Sequence, residues 1–107
     1  MHWPLWRVAV AEKSMEPALL PGDWLLVWRG IRQGRPLRIR PGQIVIARHP
    51  GRPSMLLVKR ALRREPSGWW LQSDSPYGAI DSRAFGLVAP GLIEGVVLLR
   101  YRRGGLP

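Results

Sequence analysis

Apolar residues come in short runs along this chain, and proline or glycine punctuates nearly every gap between them. Trp6 to Val10 alternates and is partly β-branched, which predicts a short strand. Trp24 to Trp28, Gln43 to Arg48 and Met55 to Arg63 predict three stronger ones. The turn Glu65-Pro66-Ser67-Gly68 sends the chain back into Trp69 to Gln72. Phe85 to Val88 and Ile93 to Tyr101 complete the set of expected strands. Pro21-Gly22-Asp23 and Pro41-Gly42 are the turns that open two of them. Met15 to Leu20 is expected to form a single helical turn, with Ser14 as its N-cap. Glu12 to Ser14, Arg29 to Pro36, His49 to Pro53 and Ser73 to Arg83 are expected loops. The tail Arg102 to Pro107 is expected to fray. Short strands with regular turn signals predict a mainly β fold, a barrel-like or sandwich-like coil of sheet with little helix.

The chain has 107 residues. That length predicts one domain over residues 1–107, able to bury roughly 65% of its unfolded surface. An apolar content of 46% fits a globular chain and argues against disorder. Seventeen Lys and Arg oppose seven acids, for a net charge of +10. Lys13 and Lys59 are the only lysines, so arginine supplies nearly all of that charge. Solubility in an arginine-rich proteome accounts for it as simply as an acidic partner, nucleic acid or an anionic membrane surface.

No cysteine is present, which excludes disulfides, thiolate catalysis and cysteine-bound zinc. With His2 and His49 the only histidines, no metal site is expected. No apolar run reaches the roughly 20 residues that span a bilayer. Met1 to Val10 lacks the features of a signal peptide. The expectation is therefore a chain without a transmembrane segment, in the cytoplasm or peripheral to a membrane.

Ser14 precedes Met15-Glu16-Pro17, and Lys59 lies inside Met55-Leu56-Leu57-Val58-Lys59-Arg60. Taken alone, Ser14 reads best as a turn cap and Lys59 as a snorkelling surface lysine. Their combination suggests more. Strand alternation puts Leu57, Lys59 and Ala61 on one face. A lysine on an apolar face loses hydration, which lowers its pKa from about 10.4 toward a neutral amine. Arg60 and Arg63 would push the same way. Such an amine could take the proton of a serine nucleophile.

Ser14 to Leu19, with Gly22-Asp23 and the apolar Leu25 and Val27, resembles the nucleophile box of signal peptidase I, shared more loosely with LexA-like peptidases. Pro41-Gly42-Gln43-Ile44-Val45-Ile46 resembles the next strand of that family, where an aspartate is usual in place of Gln43. Val58-Lys59-Arg60 resembles its lysine box. Ser73-Asp74-Ser75-Pro76 followed by Asp81-Ser82-Arg83 resembles its last box, normally opened by Gly-Asp-Asn. The four boxes stand in the family's order across residues 8–101.

The resemblance implies the signal peptidase/LexA-type β fold and a Ser-Lys dyad without cofactor. Ser14 would be the nucleophile and Lys59 the general base, with the Ser14 backbone N–H helping to bind the oxyanion. Asp81, Ser82 and Arg83 would support the site, Asp81 and Arg83 as an ion pair. Two departures stand out. Glu12 occupies the place of a frequent oxyanion-donating serine. Ala79 occupies the place of the serine that often orients the lysine; either the oxyanion hole is leaner here, or Ser73, Ser75 or Ser82 compensates.

A short form without membrane helices, and without an Ala-Gly bond before Ser14, resembles the nickel-type superoxide dismutase maturation proteases. That resemblance implies a precursor protein as substrate, nickel superoxide dismutase itself, and removal of an N-terminal leader.

Two other readings stay open. One is a basic β-barrel binding nucleic acid through arginines and tryptophans, which is not the expected partner because it leaves the four boxes unexplained. The other is a catalytically degenerate peptidase fold used for protein interaction. Six tryptophans add weight to the packing question. Trp24 and Trp28 share a face with Leu26 and are expected in the core or lining a substrate cleft. Trp3 and Trp6 could instead make a weak membrane-surface contact.

Overall fold

The apolar runs become strands close to their expected limits. They are β1 (Leu5–Ala9), β2 (Trp24–Trp28), β3 (Ile44–His49), β4 (Arg52–Glu65), β5 (Gly68–Gln72) and β6 (Ile93–Tyr101). A four-residue helix, α1 (Ser82–Phe85), and a 3-10 turn at Pro90–Leu92 lie between β5 and β6. The computed structural model describes residues 4–11, 14–16, 18–30, 37–75 and 80–101. Glu12, Ala79, Trp3, the loop residues 31–36 and the tail 102–107 lie outside the described residues.

All strands pair antiparallel in one sheet of order β1-β2-β6-β3-β4-β5. The fold is mainly β, as the spacing of the apolar runs predicts. β6 follows the other strands in sequence but lies in the middle of the sheet. It joins the β1–β2 hairpin to the β3–β4–β5 meander. Register shifts at Leu26/Val27, Ile46/Ala47, Arg48/His49 and Ala61/Arg63 mark bulges. Each bulge adds local twist, so the sheet coils.

Apolar side chains leave both faces of β3 and β6, and two buried clusters result. One gathers Val45, Ala47, Ala61, Trp69, Leu71, Val88, Ile93 and Val96. The other gathers Val10, Met15, Leu19, Leu25, Val27 and Ile46. Met15, next to Ser14, is 1% exposed and anchors its loop in the second cluster. That loop closes on itself. The Val10 amide donates to Asp23 O, the Gly22 amide to Val10 O, and the Leu20 amide to the Asp23 carboxylate. Gly22 has φ 91°, a left-handed conformation that a glycine adopts without strain.

Three expectations need correcting. Leu25 and Val27, not Trp24 and Trp28, face the core from β2. Every residue of Trp-Leu-Leu-Val-Trp is apolar, so alternation alone could not choose the face. Packing decides it: a Cβ on Gly95 would collide with Val27 Cγ1, so β6 leaves room for Val27 only by carrying a glycine. The expected strand Phe85 to Val88 is instead the end of α1 plus a single bridge from Val88 to Trp69. Asp81 caps that helix by accepting from the Arg83 amide, and Gly86 ends it. The His49–Pro53 loop shrinks to a tight turn at Pro50-Gly51.

The single helical turn after Ser14 is present as one bond, from the Leu19 amide to Met15 O at 2.8 Å. Among the tryptophans, Trp69 is in the first cluster and Trp6 packs against the second. Arginines cover three indole faces: Arg7 over Trp24, Arg29 over Trp6 and Arg63 over Trp70, at 5.3, 3.7 and 4.6 Å from the ring centroids. A stacking platform for bases would need those faces open. Among the described residues, no helix is long and apolar enough to cross a membrane.

Candidate active site

Lys59 sits midway along β4, flanked on its own face by Leu57 and Ala61 as strand alternation predicts. Only 3% of the residue is exposed. Its Nζ donates to Ser14 Oγ and to Ser73 Oγ, both at 2.9 Å. Two residues that are 45 positions apart are thus in direct contact. Ser14 is half-buried, on the loop pinned by Met15, whereas Ser73 is buried.

Backbone contacts hold the two serines in place. The Ser75 amide donates to Ser14 O at 2.8 Å, tying the Ser14 loop to the segment that follows β5. The Asp74 amide donates to Met15 Sδ at 3.4 Å and adds a second tie. The Ser73 amide donates to Asp81 Oδ2, and the Leu71 amide to Ser82 Oγ, each at 2.8 Å. Asp81 and Ser82 therefore fix the end of β5 that carries Ser73.

Asp81 is fully buried and accepts at 2.8 Å from Arg83 Nη2, whose side chain is 42% exposed. Burial alone would raise the Asp81 carboxyl. The Arg83 guanidinium and the amides of Ser73 and Arg83 outweigh it, bringing the pKa from 3.8 down to about 2. The ion pair expected from the last box is thus a buried anchor rather than a solvated loop contact.

Outside the lysine a second clamp runs parallel. Arg60 Nε and Nη2 grip both oxygens of Asp74 at 2.9 and 2.7 Å, and Arg60 Nη1 donates to Gly42 O. Hydrogen bonding to Asp74 raises the Arg60 guanidinium further above its already high pKa, against the opposing effect of burial. Neighbours in sequence, Lys59-Arg60 and Ser73-Asp74, therefore pair twice across β4 and the end of β5.

The structure brings together Ser14, Lys59 and, at the supporting positions, Asp81, Ser82 and Arg83. His49 lies against Phe85, with ring centroids 4.8 Å apart, and its Nδ1 accepts from the Gly51 amide. Sequence reading treats Ser73 only as one of three serines that could compensate for Ala79. It passes over the Arg60–Asp74 pair altogether. Register was the available signal, since Arg60 faces Gln72 and so brings the next residues, Ser73 and Asp74, within reach of β4. Among the described residues, no group of three His, Asp or Glu side chains could hold a metal ion.

Lys59 thus meets two hydroxyls on a coiled antiparallel sheet, and comparison with known proteins shows the family of the chain. The profile of the Peptidase S24-like family matches residues 5–89. Mitochondrial inner membrane protease subunit 2 of Schizosaccharomyces pombe is 32% identical over 123 residues, covering 90% of this chain and 66% of that protein. Mitochondrial ATP-independent inner membrane protease subunit 1a of Arabidopsis thaliana is 35% identical, covering 81% and 64%. Mitochondrial inner membrane protease subunit 1 of Xenopus tropicalis is 30% identical, covering 87% and 66%. The chain spans just under two thirds of the length of each relative. The family's boxes, their order and the profile match converge on one assignment: this chain belongs to the Peptidase S24-like family of serine peptidases, of the signal peptidase I type.

Proposed function

We propose that the chain is an endopeptidase that works through a Ser14-Lys59 dyad and trims a precursor protein near its N-terminus. The observation that carries this reading is the 2.9 Å contact between Lys59 Nζ and Ser14 Oγ at an amine that is 3% exposed. Burial works against a charged ammonium and so favours the neutral amine that a base must be. That amine takes the Ser14 proton as Oγ attacks the substrate carbonyl carbon. The carbonyl π pair moves onto oxygen, where the Ser14 backbone N–H donates to the oxyanion. The tetrahedral intermediate collapses, the C–N bond breaks, and Lys59 gives its proton to the leaving amine. Lys59 then takes a proton from water as its oxygen attacks the acyl carbon; the C–Oγ bond breaks, and Lys59 returns that proton to Ser14 Oγ, freeing the acid product.

The relatives are named as inner membrane protease subunits, which supports a protein substrate presented at a membrane surface. The resemblance to the nickel-type superoxide dismutase maturation proteases supports nickel superoxide dismutase precursor as the first substrate to try. Incubating that precursor with the chain, and reading the new N-terminus by mass, tests both the activity and the substrate. Cleavage lost in Ser14→Ala supports the dyad. Cleavage of library peptides with no cleavage of the precursor would leave the peptidase reading intact and remove this substrate.

A further inference from the structure

We propose that Ser73 is the positioning residue for Lys59, a task that the family resemblance assigns to the position occupied here by Ala79. The proposal rests on the dyad reading and adds a third residue to it. Where the family's last box normally opens with glycine, this chain has Ser73. A glycine there offers no hydroxyl. Ser73 Oγ instead accepts from Lys59 Nζ at 2.9 Å, as close as Ser14 Oγ.

A neutral lysine amine has two N–H groups and one lone pair, and it rotates freely about its last bond. It acts as a base only when the lone pair faces the serine proton. An acceptor at Ser73 holds one N–H and limits that rotation, so the tetrahedral nitrogen can turn its lone pair to Ser14. The acceptor must itself be fixed. Ser73 is 5% exposed, so its hydroxyl does not turn out to solvent. Its amide is held by the Asp81 carboxylate, and Asp81 by Arg83. One step away, Arg60 grips Asp74 in two bonds and keeps this segment against β4. Ser73 needs to touch no substrate to matter; it acts on the direction of the base.

The test uses the full chain and a fluorogenic peptide selected by the wild-type enzyme from a library. Ser73→Ala is expected to lower kcat by about 10- to 100-fold with KM within about twofold, and Ser73→Thr to restore kcat to within about threefold of wild type. A second readout is spectroscopic. The chain contains two lysines, Lys13 and Lys59, so 13Cε-lysine labelling gives two signals, assigned with Lys13→Arg. The pH titration of the Lys59 signal is expected to move in Ser73→Ala while that of Lys13 stays put.

Wild-type kcat and an unmoved Lys59 titration in Ser73→Ala, with Lys59→Met inactive, would overturn the proposal and leave the dyad standing. A fall in kcat that follows a lowered melting temperature and is not rescued by threonine would make Ser73 structural only, which also overturns it. Wild-type turnover in Lys59→Met would remove the dyad reading, and the positioning role with it.

Discussion

Asp81 holds the backbone amide of Ser73 at 2.8 Å, so a buried carboxylate outside the dyad fixes a residue that touches Lys59. Its low pKa makes this anchor pH-dependent. A carboxyl at about 2 in the folded chain and near 3.8 in the unfolded chain contributes stability that is fully present above pH 4. That stability is lost as pH falls from about 4 through 2. Its size is on the order of 2 kcal/mol, less what water screens around the half-exposed Arg83. Asp81→Asn should therefore be clearly less stable than wild type at pH 7, with the gap closing toward pH 2. Urea unfolding at several pH values measures it, and a gap independent of pH would count against the assignment.

The proposed dyad predicts that Lys59→Met and Lys59→Arg both lose activity, by at least about 1,000-fold in kcat/KM. Methionine keeps much of the shape and removes the amine. Arginine keeps a donor but never becomes a base at working pH. Ser14→Ala should be equally inactive. Circular dichroism should show all three folded. Substantial turnover by Lys59→Arg would mean that charge, not basicity, is what the site needs.

Arg60 and Asp74 should be coupled. Their two charge-assisted bonds are only partly exposed, with side chains 29% and 22% accessible. A double-mutant cycle with Arg60→Ala and Asp74→Ala should give a coupling energy of about 1 kcal/mol, above that of a typical surface pair. The single variants should also slow cleavage, because the clamp lies beside Lys59 and Ser73. Additive stabilities would show that the pair is geometry without energy.

Gly95→Ala tests the choice of core face. A methyl there meets Val27 Cγ1 on the neighbouring strand, and relief requires β2 and β6 to part. The expected cost is about 1–3 kcal/mol by thermal or denaturant unfolding. Gly95→Ala combined with Val27→Ala should recover part of it. An unchanged melting temperature for the single variant would mean that the sheet adapts freely at this crossing.

Much of the site was legible because the relevant residues sit in short-range patterns. Period-two alternation placed Lys59 with Leu57 and Ala61, and the turn residues bounded the Ser14 loop. What stayed hidden depended on contacts between distant segments. In Trp24 to Trp28 both faces are apolar, so the face came from Gly95, 68 positions beyond Val27. The helix at Ser82–Phe85 forms because Asp81 caps it, a role the same carboxylate combines with its bond to Ser73. Ser73 itself gave no local sign of its partner. Only the β4–β5 register brings it to Lys59.

The central place of β6 has a consequence for when this chain can become active. The Ser14 loop belongs to the β1–β2 side of the sheet, whereas Lys59 and Ser73 belong to the β3–β4–β5 side. The strand that unites the two sides is made after both of them. Pairings this distant in sequence close slowly and late. A partly synthesised chain can therefore form the hairpin and the meander, yet have no sheet joining Ser14 to Lys59. Under the proposed Ser14-Lys59 dyad, proteolytic competence would arrive only once β6 has paired with both sides of the sheet.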